Sequence, residues 1–258
     1  MPVLNTANKV FVGSSPADAV YLGGTKVWSS APPIPMDGLM LWLDPAQLGL
    51  ADGAYIDTWP SAVGSLVGTN LSVAPNRPVL RASALNGNPV ARFIPGSGLR
   101  WPTIGLEGEP GLNWTIIYVG RIWNVAAVGR VVSAGYPPTN VALGYHGGNE
   151  DKAYVEGWLY PDLGHAQTTN WKLYTGTMEG VVGLVKGWFY SNGVFLSGDH
   201  AVSQGWGGST FHLNGYNVNG AEETTNCEVA EVLMWTRRLP DAERQDAEGY
   251  MRDKYGPF

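Results

Sequence analysis

Glu228 and Glu231, in the run Glu228-Val-Ala-Glu231, form the acidic pair best suited by spacing to acid–base chemistry. Glycoside hydrolysis needs two carboxylates a few ångströms apart, one as acid and one as nucleophile or base. In an extended strand a spacing of three sends the two side chains to opposite faces, so the pair predicts no hydrolase. No Gly-x-Ser-x-Gly elbow is present, and His146, His165, His200 and His212 are scattered without an obvious acidic partner. Neither Cys-x-x-Cys nor His-Glu-x-x-His occurs, which leaves no zinc motif. Cys227 is the single cysteine, so no internal disulfide forms; followed by alternating apolar residues, it reads as a small buried hydrophobe rather than a catalytic thiol.

Binding chemistry has more support. Sugars are recognised by flat aromatic faces together with side-chain amides and carboxylates that meet hydroxyls. Gln204-Gly-Trp206-Gly-Gly sets a tryptophan among glycines where no strand pattern demands one. Tyr216 and Asn217 fall in the next loop, and Tyr145 and His146 in an earlier one. Tyr145, His146, Trp206, Tyr216 and Asn217 are the candidate glycan-binding residues. Asn217, Asn219, Glu222 and Glu223, and separately Asn149, Glu150 and Asp151, supply oxygens of the kind calcium takes. The same residue types populate solvated turns. No cofactor is therefore expected, with calcium the one ion left open.

The elements that must carry these residues are strands. Of the 258 residues only 15% are charged, while Gly (35) and Pro (18) are abundant, a composition of short strands joined by tight turns. Strands are expected at 39–43, 89–94, 114–122, 130–134, 153–159, 171–178 and 210–214. Asn192-Gly193 forms the turn of a hairpin between Trp188-Phe-Tyr190 and Val194-Phe-Leu196, and further Asn-Gly turns begin at Asn86, Asn214 and Asn219. Arg237 to Lys254 holds ten charged residues in eighteen, with Leu239, Ala247, Tyr250 and Met251 on one helical stripe, and predicts a C-terminal helix. Pro240 suits its first position, and Asp241 and Glu243 complement the dipole there. Upstream, Lys9–Gly13 and Ala19–Gly23 read as two short strands about a turn at Ser14–Asp18, followed by Lys26-Val-Trp28. This unit is too thin to bury a core alone and needs a partner surface. Ser29–Pro35 is a stiff proline-rich linker. The expected organisation is an N-terminal segment at 1–30, a linker at 31–35 and one large domain at 36–258.

The formal net charge of −6, without a basic run, argues against nucleic-acid binding. No stretch is apolar enough to span a bilayer and none resembles a signal peptide, so synthesis in a host cytoplasm without membrane insertion is expected.

Two stretches resemble known families. Glu228-Val-Ala-Glu231-Val-Leu-Met-Trp235-Thr-Arg-Arg-Leu239-Pro-Asp-Ala-Glu243, ending Lys254-Tyr255-Gly256, is similar to the closing segment of laminin-G-like, concanavalin-A-like jelly-roll domains, and Leu39–Pro45 (LMLWLDP) resembles their opening strand. Trp188–Phe195 fits their hairpin. The resemblance implies an all-β jelly-roll β-sandwich over 36–256, closed by a short helix. Pro240 stands where that family places a capping Ser or Thr. Glucanases of this fold carry an E-x-D-x-x-E array, and Ala230 occupies the position of its Asp. Lys9–Trp28 (KVFVGSSPADAVYLGGTKVW) is similar to the N-terminal segment of minor tail and appendage proteins of actinobacterial phages. That likeness implies a non-catalytic virion structural protein, located on the phage tail or particle surface. Val10, Phe11, Val12, Tyr21, Leu22 and Trp28 of its small N-terminal hairpin would dock onto other tail or capsid proteins. The large domain would face host cell-surface polysaccharide, and the protein could form a homo-oligomer. A purely architectural decoration protein, or a polysaccharide-degrading enzyme, are the alternatives.

Overall fold

The computed structural model describes residues 11–12, 15–16, 19–22, 25–29, 34–72, 76–102, 113–125, 128–135, 141–155, 157–158, 165–181, 184–202, 210–216 and 223–258. Its N-terminal strands are β1 (Phe11–Val12), β2 (Ser15–Pro16), β3 (Ala19–Leu22) and β4 (Thr25–Ser29). The next are β5 (Leu39–Leu43), β6 (Thr58–Pro60), β7 (Val67–Asn70), β8 (Val79–Leu85), β9 (Asn88–Phe93), β10 (Leu99–Pro102), β11 (Trp114–Ile122) and β12 (Val132–Ala134). They are followed by β13 (Val141–His146), β14 (Asn149–Val155), β15 (His165–Ala166), β16 (Lys172–Val181), β17 (Leu184–Ser191), β18 (Val194–Val202), β19 (Thr210–Leu213), β20 (Cys227–Trp235) and the helix α1 (Asp241–Tyr255).

The pairing makes a jelly-roll β-sandwich. One eight-stranded antiparallel sheet runs β15-β14-β13-β12-β19-β10-β7-β6. The other, also eight-stranded but larger because its strands are longer, runs β18-β17-β16-β11-β20-β9-β8, with β5 also paired to β20. Alternation along the strands builds the layer between them. Trp101, Tyr118, Tyr145, Tyr174, Phe189 and Phe211 all point inward and are essentially fully buried. Gly68 is required here, because a Cβ would collide with the Trp101 indole. A second apolar layer lies outside the larger sheet, where Val119, Leu233 and Trp235 meet Ala247, Met251 and Tyr255 of α1. Ile34 joins this layer, and the Trp235 indole donates to the Pro35 carbonyl at 2.8 Å, so the end of the proline-rich run is seated on the sandwich.

Pro240 is the N-cap rather than the first helical residue and makes no side-chain cap bond. The Leu239 amide that precedes it is taken by Thr115 Oγ1 at 2.9 Å. Asn86-Gly87 and Asn192-Gly193 both take positive φ and turn their hairpins as expected; Asn219 lies outside the described residues. Cys227 is fully buried in the core. The N-terminal pairing differs from expectation. β1 pairs with β2, inside the anticipated turn, and β3 pairs with β4. Among the described residues neither ladder joins the large sheets. Val10 lies outside the described residues. Phe11, Val12, Tyr21, Leu22 and Trp28 lie on these short strands.

Candidate functional site

The outer face of the smaller sheet gathers its exposed aromatic and charged groups at one margin. Val141, Leu143, Tyr145, Ala153 and Val155 face the core, so alternation sends Lys152, Tyr154 and His146 outward from β13 and β14. Trp158 bridges back to Tyr154 just after β14 and lies on this face. Its ring meets His146 edge-on at 5.1 Å and Tyr154 at 5.2 Å, with the Lys152 ammonium 5.2 Å from its centroid. All four side chains are partly exposed.

A second group continues from His146. Its Nε2 is 3.7 Å from Glu223 Oε2, and the same carboxylate oxygen takes a short bond from Arg130 Nε. The Arg130 guanidinium lies 4.5 Å from the Tyr216 ring centroid. Arg130 itself is buried, which leaves Glu223 and Tyr216 as the accessible parts. Val128, 61% exposed, is tied beside this group by its carbonyl, which accepts the Gly147 amide. Partial burial, and then the Arg130 charge, hold the His146 pKa below its ordinary value, while Glu223 pulls the other way. At neutral pH the imidazole is therefore uncharged, able to donate from one nitrogen and accept at the other. Aromatic edges and faces, an imidazole, a carboxylate and an ammonium within one strip suit a polyhydroxylated ligand.

His146 and Tyr216 were read from the sequence as site residues, and the Arg130–Glu223 pair brings them into one group. Tyr145 must be withdrawn. It lies near the end of β13 rather than in a loop, and alternation turns its ring into the core, 5.3 Å from Tyr174. Trp206 and Asn217 lie outside the described residues. Trp158, Tyr154, Lys152 and Arg130 were missed. The expected strand at 153–159 begins four residues late, which hid the outward register of Lys152 and Tyr154 and put Trp158 inside a strand.

The carboxylates considered for catalysis and calcium are engaged elsewhere. Glu228 and Glu231 share one face, contrary to the spacing rule, because the ladder slips between Val119 and Gly120 and a β-bulge absorbs one residue of β20. Each is fully buried. Glu228 lies between Arg92 (2.5 Å) and Arg121 (2.7 Å). Glu231 accepts from Trp42 Nε1, Tyr250, Tyr255 and Lys254 at 2.6–2.9 Å, under α1. Burial raises its pKa against the opposing pull of Lys254. Glu150 and Asp151 belong to β14, not a loop, and turn between the sheets. There Lys172 reaches Glu150 at 2.9 Å and Asp151 at 3.3 Å, Thr168 donates to Glu150 and Tyr174 to Asp151, and His165, expected to have no acidic partner, lies with Nδ1 3.0 Å from Asp151 Oδ2. Lys172 supplies the charge a cation would bring. Among the described residues no cluster of His, Cys, Asp and Glu is arranged to hold a metal ion.

No family model and no curated protein matches the chain in sequence. Solved structures do match in shape. The Trypanosoma rangeli sialidase in complex with sialic acid superposes with a TM-score of 0.59 at 17% identity, over 93% of this chain and 36% of its own. Domain 4 of AbnA, an extracellular GH43 arabinanase from Geobacillus stearothermophilus, in complex with arabinotriose, gives 0.56 at 16% identity, over 81% of this chain and 97% of that domain. The binding domain of botulinum neurotoxin DC in complex with SialylT gives 0.56 at 9% identity, over 83% and 52%. The likeness is one of fold. All share a lectin-like β-sandwich with this chain, which spans about a third of the sialidases' length.

Proposed function

We propose that the protein is a non-catalytic glycan-binding module of a phage particle, and that the strip from Tyr154 through Trp158 and His146 to Tyr216 receives the sugar. The observation that carries this reading is the pair of edge-on contacts that hold Trp158, partly exposed, between Tyr154 and His146, with His146 in turn beside the Glu223 carboxylate. Stacking against such a ring, with hydroxyls met by the carboxylate and imidazole, is how a shallow face binds a saccharide. Two of the similar folds are single domains solved in complex with a ligand, arabinotriose in one and SialylT in the other. Against hydrolysis stands the fate of Glu228 and Glu231, which are buried and saturated.

The virion role rests on the resemblance of Lys9–Trp28 to phage tail segments. In this reading residues 1–30 dock onto tail or capsid proteins and the sandwich meets host-surface polysaccharide. A glycan array probed with the full chain tests the binding claim. Signal is expected on host-type polysaccharide and is expected to fall about tenfold in Trp158→Ala, a loss of roughly 1.4 kcal/mol. Reducing-sugar release from the same polysaccharide would replace the module with an enzyme. A silent array for a chain that still co-purifies with particles would leave an architectural protein.

A further inference from the structure

The larger sheet carries a second platform, on the opposite side of the sandwich and beyond the cover of α1. Arg92 on β9, Glu228 on β20 and Arg121 on β11 stand in register on adjacent strands. Glu228 is fully buried between them, while Arg92 and Arg121 keep 33% and 26% of their side-chain surface exposed. Each guanidinium is stacked on a tryptophan, Arg92 at 5.1 Å from the Trp123 centroid and Arg121 at 4.7 Å from Trp171. Both indoles are themselves partly exposed.

Two cations over one carboxylate leave a net positive charge. Arg92 spends Nε and Nη2 on Glu228, and Arg121 spends Nε on Glu228 and Nη1 on the Thr169 carbonyl. Among the described residues that leaves Nη1 of Arg92 and Nη2 of Arg121 without a hydrogen-bond partner. Glu228 fixes both forks and the indoles fix their planes, so the remaining N–H groups are pre-organised for an oxyanion. The partly exposed indoles add flat apolar surface at both ends of the row. We infer that Arg92, Arg121, Trp123 and Trp171 form a binding site for an anionic saccharide, its acid group held by the two guanidinium groups and its ring laid on an indole. The carbohydrate reading above supplies only the ligand class; the site is separate from the Trp158 strip.

Calorimetric titration of the full chain with an oligogalacturonate, a sulfated oligosaccharide and a neutral oligosaccharide of equal length tests this. At least one acidic probe is expected to bind about tenfold or more tighter than the neutral one and to weaken with added salt. The tighter of the two identifies the anion as carboxylate or sulfate ester. Trp171→Ala is expected to weaken the acidic probe about tenfold, and Phe195→Ser, on the exposed β17–β18 hairpin outside both sites, to leave it unchanged. Should Trp171→Ala fail to fold, Arg121→Lys, which keeps the charge and removes the fork, is expected to give the same loss. Equal binding of all three probes, no binding of either acidic probe, or a loss in Trp158→Ala that Trp171→Ala and Arg121→Lys do not share, overturns the site. The neutral probe's response to Trp158→Ala reports separately on the first site.

Discussion

The two outer faces of the sandwich use the same residue types to opposite ends. Beneath α1 on the larger sheet, Glu231 is fully buried and bonded to four partners, and Glu248 is held by Thr175 and Arg244. On the smaller sheet's margin Glu223 is 40% exposed beside His146, whose ring in turn meets Trp158. A carboxylate with every lone pair satisfied inside the protein is scaffold. A carboxylate that keeps one side open, next to an aromatic ring, is free to meet a ligand. Burial separates these roles more sharply than residue identity does.

The largest expected effect lies on the scaffold side. Glu231→Ala leaves the Trp42 indole N–H and the Tyr250 hydroxyl without their acceptor, while Lys254 keeps Asp44 and Tyr255 keeps the Ala230 carbonyl. With two donors orphaned beneath α1 it is expected to cost about 3–5 kcal/mol in urea unfolding. An effect under about 1 kcal/mol would show that this network is not structural.

Next comes an acid-sensitive element on the smaller sheet. His212 is buried on β19, bonded through Nε2 to Thr210 Oγ1 at 3.0 Å, and burial, then the Arg100 charge, push its pKa down to about 4 from an ordinary 6.5. The unfolded chain therefore takes up a proton that the folded chain refuses. Its neutral form contributes stability that is fully present above pH 6.5 and is lost as pH falls toward about 4, of order 3 kcal/mol in total. Urea midpoints at pH 7, 5.5 and 4.5 are expected to fall accordingly, with a shallower fall in His212→Gln.

The smallest effect marks the exposed end of the comparison. Phe195 is 55% exposed at the β17–β18 hairpin, and Phe195→Ser is expected to change stability by about 0.5 kcal/mol or less. A larger loss would mean that this edge is covered by a partner.

The sequence displayed the fold better than the site. The strand at 39–43 was legible as an unbroken apolar run, LMLWL, and that at 114–122 because it opens on a β-branched and aromatic run, WTIIYV. The hairpin turns were legible because Asn-Gly names its own backbone geometry. The strands Thr58–Pro60 and Leu99–Pro102 were not, being three or four residues long and ending in proline. At the site, His146 and Tyr216 were visible as loop-like aromatics near turns. Their union was not, since it depends on Arg130 and Glu223, 93 residues apart. The bulge in β20 was equally hidden: no local signal marks the extra residue that turns Glu231 to the same face as Glu228.

The central claim is that the margin of the smaller sheet, and not the helix-covered face, receives neutral saccharide. Nitrogen–proton spectra of the full chain, titrated with a neutral oligosaccharide cut from host-surface polysaccharide, test it most directly. The account predicts saturable shifts at the Trp158 indole, the His146 amide and the Tyr216 amide, with residues of α1 unmoved. Shifts confined to α1, to the β18 edge or to Trp171, or none at saturating sugar, would contradict it.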